Sequence, residues 1–214
     1  LSDAGMLIAK KVGDEISVLG PIGVPFKLDD YRKIPILIGG GVGIPPMIYL
    51  AEHIKDQMTS SQPIVLMGSE IPFPFQTRPS HIMSTQCPPE VLACMPLLED
   101  WKILSRLATN QGYSGCFNGF VTDLAKYIVN MNRSSLDEFE IFACGPNPML
   151  EAVKALADEF SLPCQISLEE HMACAVGGCA GCAVEIQEGQ NIAMKRVCVD
   201  GPVFEAETVI FPSK

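Results

Sequence analysis

Residues 35–58 read PILIGGGVGIPPMIYLAEHIKDQM, and this stretch decides the fold. A short apolar run ends in Gly39, Gly40 and Gly41. After Gly43 the pattern changes to helical spacing, with Met47, Leu50, Ala51 and Ile54 on one face. Pro45 and Pro46 suit the first turn of a helix, where a missing N–H costs nothing. Strand, glycine turn and helix in that order form half of a βαβ unit.

The theme repeats on either side. IVLMGS (64–69) reads as a second strand and KILSRLA (102–108) as a third; FVTDLAKYIVNM (120–131) reads as a helix, with Thr122 as its N-cap. In EIFACGPNPMLEAVKALADEF the strand covers 140–144, the turn is Gly145-Pro146 and the helix runs over 148–160; QISL (165–168) is one more short strand. Strands alternating with helices predict a parallel sheet covered on both faces. The Pro-rich stretch from Ile71 to about Pro96 reads as irregular surface elaboration. From about residue 170 the pattern is short alternating strands (AVEI, IAMKRV) among cysteines with no helix signal, so it reads as a separate small module. At the other end, ISVL (16–19) reads as a strand leading into the turn 20–23. No partner strand precedes it after Leu1, so the expectation is that further sequence lies upstream.

Composition narrows the function classes. With 48% hydrophobic and 19% charged residues, the 214-residue chain is globular in character. A net charge of −10 without any basic cluster argues against nucleic acid or an anionic membrane surface as partner. Apolar runs are short and broken by Gly and Pro, so no membrane span is expected. Five of the nine cysteines (Cys87, Cys94, Cys116, Cys144, Cys164) are scattered singly, a usage that points to reduced thiols and the cytoplasm.

Two kinds of motif carry chemistry. The turn GGGVGIPP (39–46), between strand and helix, has the shape of a phosphate cradle, since helix-terminal N–H groups face an anion and glycine permits close approach. By itself it is equally a tight turn of an α/β domain. CGPNPM (144–149) ends a later strand and lies at the same edge of the sheet, where such folds bind ligands. Cys144 there is either a small buried residue or a side chain close to a bound ring. The second motif is HMACAVGGCAGC (171–182) followed by KRVCVDGP (195–202), which spaces Cys174, Cys179, Cys182 and Cys198 as C-x4-C-x2-C…C. A disulfide knot would crowd three cysteines in a reducing setting. A zinc site would take two separated knuckles. One glycine-rich loop with a distant fourth cysteine is the plant-type ferredoxin spacing that wraps a [2Fe–2S] cluster, a one-electron carrier. Gly177, Gly178 and Gly181 let backbone N–H groups turn toward sulfur.

Taken together, GPIGVPF (20–26), IGGGVGIPPM (38–47), ATNQGYSGCFNGFVTDL (108–124), ACGPNPML (143–150), SLEEHMACAVGGCAGC (167–182) and RVCVDGPVF (196–204) resemble the ferredoxin–NADP reductase superfamily. Within it, the chain is most similar to the electron-transfer subunits of class 1B dihydroorotate dehydrogenases. The resemblance implies an α/β fold: a remnant of an FAD-binding β-barrel (1–32), a nicotinamide-binding parallel-sheet domain (33–164) and a [2Fe–2S] module (165–214). It implies that Cys174, Cys179, Cys182 and Cys198 ligate the cluster. Gly40, Gly41 and Gly43 would face the nicotinamide pyrophosphate, with Cys144, Gly145 and Pro146 near the ring. Glu70, just beyond the second strand, would meet an adenosine ribose and favour NAD(H) over NADP(H).

Four departures from the family stand out. Ala175 replaces a usual glycine, Asn110-Gln111 replace a usually acidic stretch, the 70–100 segment is long and unfamiliar, and the flavin motif of Arg-Pro-x-Ser type is absent. A nicotinamide gives two electrons as hydride and a [2Fe–2S] cluster takes one, so the reading also implies an FAD, most of whose site lies upstream of Leu1. The implied role is electron transfer among NAD(H), FAD and the cluster for a dihydroorotate dehydrogenase catalytic subunit in pyrimidine biosynthesis. Its rivals are a related NAD(P)H-dependent iron–sulfur flavoprotein serving another acceptor, and a zinc-stabilised binding module.

Overall fold

Near-continuous burial along β1 (Ile34–Gly40), β2 (Ile64–Gly68) and β7 (Phe139–Cys144) builds the molecule around one sheet. The computed structural model describes residues 9–28, 32–57 and 60–212. Leu37, Val65, Met67 and Phe142 point to one face, where Met47, Leu50 and Ile54 of α1 (Ile44–Gln57) cover them. Ile36, Ile38, Leu66 and Ile141 point to the other face, where α3 (Val121–Met131) and α4 (Asn147–Phe160) supply Leu124, Ile128, Leu150 and Val153. Strands buried on both faces are continuous apolar runs, which is why they were legible as such.

The remaining strands are β5 (Leu104–Thr109), β6 (Phe117–Asn118), β8 (Cys164–Ser167) and β11 (Val203–Glu205). The sheet order is β11-β8-β7-β1-β2-β5-β6. Every neighbouring pair is parallel except β8 and β11. Chain connections leave β1 toward β2 on one side and return through β7 toward β8 on the other. The point where the order reverses lies between β1 and β7, the place where open α/β sheets hold ligands.

Several expectations are corrected. ISVL (16–19) forms no strand: Ile16, Val18 and Leu19 are exposed, without a partner strand among the described residues. The same segment touches the sheet further on, where Lys27 exchanges hydrogen bonds with the Gln165 side chain and Phe26 packs edge-on against Phe142 with ring centres 5.6 Å apart. Thr122 is not the N-cap of α3. That place belongs to Phe120, whose backbone N–H donates to the Asp123 carboxylate at 3.3 Å. The domain boundary expected between 164 and 165 falls inside β8.

The stretch 71–96 is more ordered than its composition implied. It contains a hairpin of β3 (Arg78–Pro79) and β4 (Ala93–Cys94), followed by a short helix, α2 (Pro96–Asp100). Buried Glu99 accepts hydrogen bonds from Ser80 Oγ at 2.8 Å and from the His81 N–H at 2.6 Å. Burial alone would push the Glu99 carboxyl up, but these donors outweigh it and hold it below its usual range. Arg106, 2% exposed, donates to the carbonyls of Ser105 and Ile82. The excursion is pinned by buried polar contacts, which hydrophobic periodicity does not register.

Among the described residues, no helix is long and apolar enough to cross a membrane. Beyond the sheet, β9 (Ala183–Glu188) and β10 (Asn191–Arg196) form a two-stranded antiparallel hairpin. Its core is not separate: Cys182, Ile186, Val197, Ala206 and Val209 join the same apolar cluster as α4. Lys154 of α4 donates to the carbonyls of Glu207 and Val209.

Candidate functional site

Register sets the first part of the site. Ser167 pairs with Cys144, Cys144 with Gly39, Gly40 with Gly68 and Gly68 with Ala108, so the carboxyl ends of five strands form one row. A cleft of about 530 Å³ opens above part of that row. Gly40, Gly41, Glu70 and Pro146 line it, together with Phe120 and Met149. At its mouth, Asn110 Nδ2 donates to Glu70 Oε1 at 3.2 Å. Asn110 was noticed in the sequence only as a departure from acidity; its position opposite Glu70 comes from the β2–β5 pairing.

Gly43, Gly145 and Cys144 lie elsewhere. Gly43 is buried under the turn; a Cβ built on it would lie 2.0 Å from the Cys144 carbonyl oxygen. Its glycine therefore lets β1 and β7 close up, and it does not line the cleft. Gly145 lines a separate hollow of about 340 Å³ with Glu169, Glu170 and His171, and Pro146 borders both spaces. Cys144 sits half-buried beside this turn. Burial pushes its thiol up, partly offset by a hydrogen bond from Ser167.

The second part is the cysteine loop, residues 171–182, closed against the 197–201 turn. Cys174 and Cys179 form one pair, with the Cys179 N–H donating to Cys174 Sγ at 3.4 Å. Cys182 and Cys198 form the other; both are buried, and the Cys198 N–H donates to the Cys182 sulfur. The N–H groups of Val176 and Cys179 hold the Cys174 thiol down to about 6. The Cys198 N–H likewise lowers Cys182, whereas burial raises Cys198. N–H donors aimed at sulfur stabilise thiolate, the form that ligates iron.

Among the described residues, no three His, Cys, Asp or Glu side chains converge on a single-ion site. The sulfurs are arranged two and two, and that pairing with its N–H donors suits a group with two irons. The other cysteines differ: Cys94 is fully buried and its thiol is pushed up to about 11 by desolvation.

The loop departs from ideal at Ala175 and Ala180, both in the left-handed region at φ +54°. The expected departure at Ala175 is thus a residue in a conformation that glycine adopts more readily. Two residues escaped the sequence reading. Arg196 donates from Nη1 to the Gly177 carbonyl at 3.0 Å and from Nε to Asp200 Oδ2 at 2.9 Å. Their i,i+4 spacing around Cys198 was visible, but contact with the loop depends on the fold.

Known proteins are similar to this chain. Residues 169–210 match the family model for the iron-sulfur cluster binding domain of dihydroorotate dehydrogenase B. The electron transfer subunit of dihydroorotate dehydrogenase B (NAD(+)) from Caldanaerobacter subterraneus subsp. tengcongensis is 34% identical over 204 residues, covering 94% of this chain and 68% of that protein. The subunit of the same name from Shouchella clausii is 32% identical over 206 residues, covering 95% and 68%. A solved structure of an NADH-dependent reduced ferredoxin–NADP oxidoreductase, studied for flavin-based electron bifurcation, superposes with a TM-score of 0.64 at 25% identity, covering 97% of this chain and 65% of that one.

Proposed function

The chain belongs to the family of electron transfer subunits of dihydroorotate dehydrogenase B, and from that premise we propose how its residues divide the work of moving electrons among NAD(H), FAD and a [2Fe–2S] cluster for the catalytic dihydroorotate dehydrogenase subunit. Bound flavin would supply the change from two-electron hydride exchange with a nicotinamide to the single-electron exchange that a [2Fe–2S] cluster allows. Cys174 and Cys179 would hold one iron; Cys182 and Cys198 would hold the other. Supporting N–H donors keep the loop thiols ionised. Gly40 and Gly41 receive the pyrophosphate in the cleft, and Glu70, oriented by Asn110, accepts hydrogen bonds from the adenosine ribose. The nicotinamide end lies past Pro146, toward Cys144 and Gly145.

Gly43 serves this site indirectly, by holding the turn against β7. The protein acts in the cytoplasm, a reading supported by the five scattered cysteines, all free thiols.

The observation that carries the proposal is the two-and-two pairing of the four thiols within the matched iron–sulfur domain. The full-length protein purified without oxygen should contain about two irons per chain and show the visible absorbance of a [2Fe–2S] group. A colourless, zinc-loaded preparation would refute the ligand assignment.

A related reductase serving another acceptor is the second reading, favoured by the fold likeness to the ferredoxin–NADP oxidoreductase. Electron delivery to and from a dihydroorotate-oxidising subunit separates the two.

A further inference from the structure

Arg196 and Asp200 flank Cys198, two residues before it and two after. The Asp200 carboxylate takes the Arg196 backbone N–H at 2.8 Å, Nε at 2.9 Å and Nη2 at 3.2 Å. The remaining guanidinium nitrogen reaches across to the Gly177 carbonyl at 3.0 Å, between Cys174 and Cys179. One cation thus ties the strand leading to Cys198 to the loop bearing the other three cysteines, and one anion neutralises it. The neighbouring cation, Lys195, is engaged elsewhere with Glu188 at 2.7 Å. The side chains of Arg196 and Asp200 are 41% and 30% exposed, so as a plain ion pair they would add little to stability. Their position beside the thiolates gives them another effect.

We propose that Arg196 is a positioning residue that latches the loop over the Cys198 turn, and that the Arg196–Asp200 charge balance sets the reduction potential of the group the four cysteines hold. This rests on the ligand assignment above. Taking up an electron adds negative charge to a site already lined by thiolates. A nearby cation favours the reduced form and a nearby anion disfavours it. As a pair the two nearly cancel; broken, each leaves an uncompensated charge of opposite sign.

The test is an anaerobic potentiometric titration of the full-length protein, followed by absorbance and electron paramagnetic resonance. Arg196→Gln should lower the potential and Asp200→Asn should raise it. Each shift should be about 59 mV, a tenfold change in a one-electron equilibrium. Arg196→Lys keeps the charge but loses the fork that reaches both Gly177 and Asp200. It should keep a near wild-type potential while losing iron several-fold faster to a chelator.

Shifts of the same sign in both neutral variants, or unchanged potentials in loaded variants, overturn the proposal and leave the ligand assignment standing. If Arg196→Gln cannot be loaded, Asp200→Asn and Arg196→Lys decide: a raised potential in the first with faster iron loss in the second supports it, and any other result overturns it. Wild-type protein without a cluster overturns this proposal and the ligand assignment together.

Discussion

Asn110 Nδ2 lies 3.2 Å from Glu70 Oε1, joining the end of β5 to the turn after β2 at the mouth of the cleft. The amide donates, so the carboxylate keeps its second oxygen for a ribose hydroxyl and presents negative charge where a 2′-phosphate would sit. We expect preference for NAD(H) over NADP(H). Glu70→Arg should improve kcat/KM for NADPH by about tenfold and weaken that for NADH similarly. Comparable use of both cofactors by the wild type would contradict this.

The glycines of the turn should separate by substitution. Gly43→Ala drives a methyl into the Cys144–Gly145 peptide and should cost about 3 kcal/mol or more, read from a denaturant midpoint. Gly41→Ala meets no atom within 4 Å and strains only its φ of +53°. It should cost about 1 kcal/mol while raising KM for the nicotinamide. Equal stability losses would show that the two positions do not differ as described.

Cys179→Ser should abolish or grossly reduce iron content. Cys87→Ser and Cys94→Ser should leave it intact, but both thiols are buried, so these variants should melt at lower temperature through a buried hydroxyl. In cluster-free protein, Cys174 should alkylate readily at neutral pH, because its thiol is held to about 6, while Cys94, raised to about 11, should not. Mass spectrometry after brief iodoacetamide treatment reads this directly.

Ala175→Gly should stabilise the loop by about 1 kcal/mol, since a φ of +54° is strained for alanine. Slower loss of the cluster to a chelator than in the wild type would confirm it; faster loss would mean that the alanine methyl contributes packing.

The loop surface bears Met172, Ala173, Ala175, Val176 and Ala180, all exposed. We expect this face to meet the catalytic subunit. Val176→Glu should weaken association at least tenfold in a sedimentation or titration assay without altering the cluster spectrum. Ala180 is less suited to the test because its backbone is itself strained. Full-length protein purified alone should reduce artificial acceptors but not oxidise dihydroorotate. Dihydroorotate oxidation by that preparation would contradict the division of labour.

The strands β1, β2 and β7 could be read in the sequence because burial on both faces leaves apolar runs, broken in β7 only by Glu140. β5 was fainter, since Ser105 and Arg106 interrupt it, although both are buried. The four cysteines were legible because ligand spacing is local. Their division into pairs was not, because Cys198 reaches Cys182 only through the return of the chain. Glu70 lines the cleft, whereas Gly43 is buried under the turn: in sequence a glycine that admits a ligand looks the same as one that admits a neighbouring peptide. The order within 71–96 rests on Glu99 and Arg106, buried polar side chains that have no periodicity to detect.

The chain leaves the sheet after Ser167 and comes back beside it, with Val203 of β11 paired to Ser167 of β8. Everything between, including the cysteine loop and the β9–β10 hairpin, is therefore a cassette whose two ends are clamped by one rung of a ladder. Such a unit can lengthen, shorten or change its outer surface without disturbing the five strand ends that build the cleft. It can also be grafted: a host sheet with a free edge strand, together with an equivalent of the Lys154 contacts to Glu207 and Val209, would supply both anchor points. Exchange of cassettes between relatives would then redirect electrons to a new recipient, provided that Glu169, Glu170 and His171, which line the hollow beside Gly145, are kept.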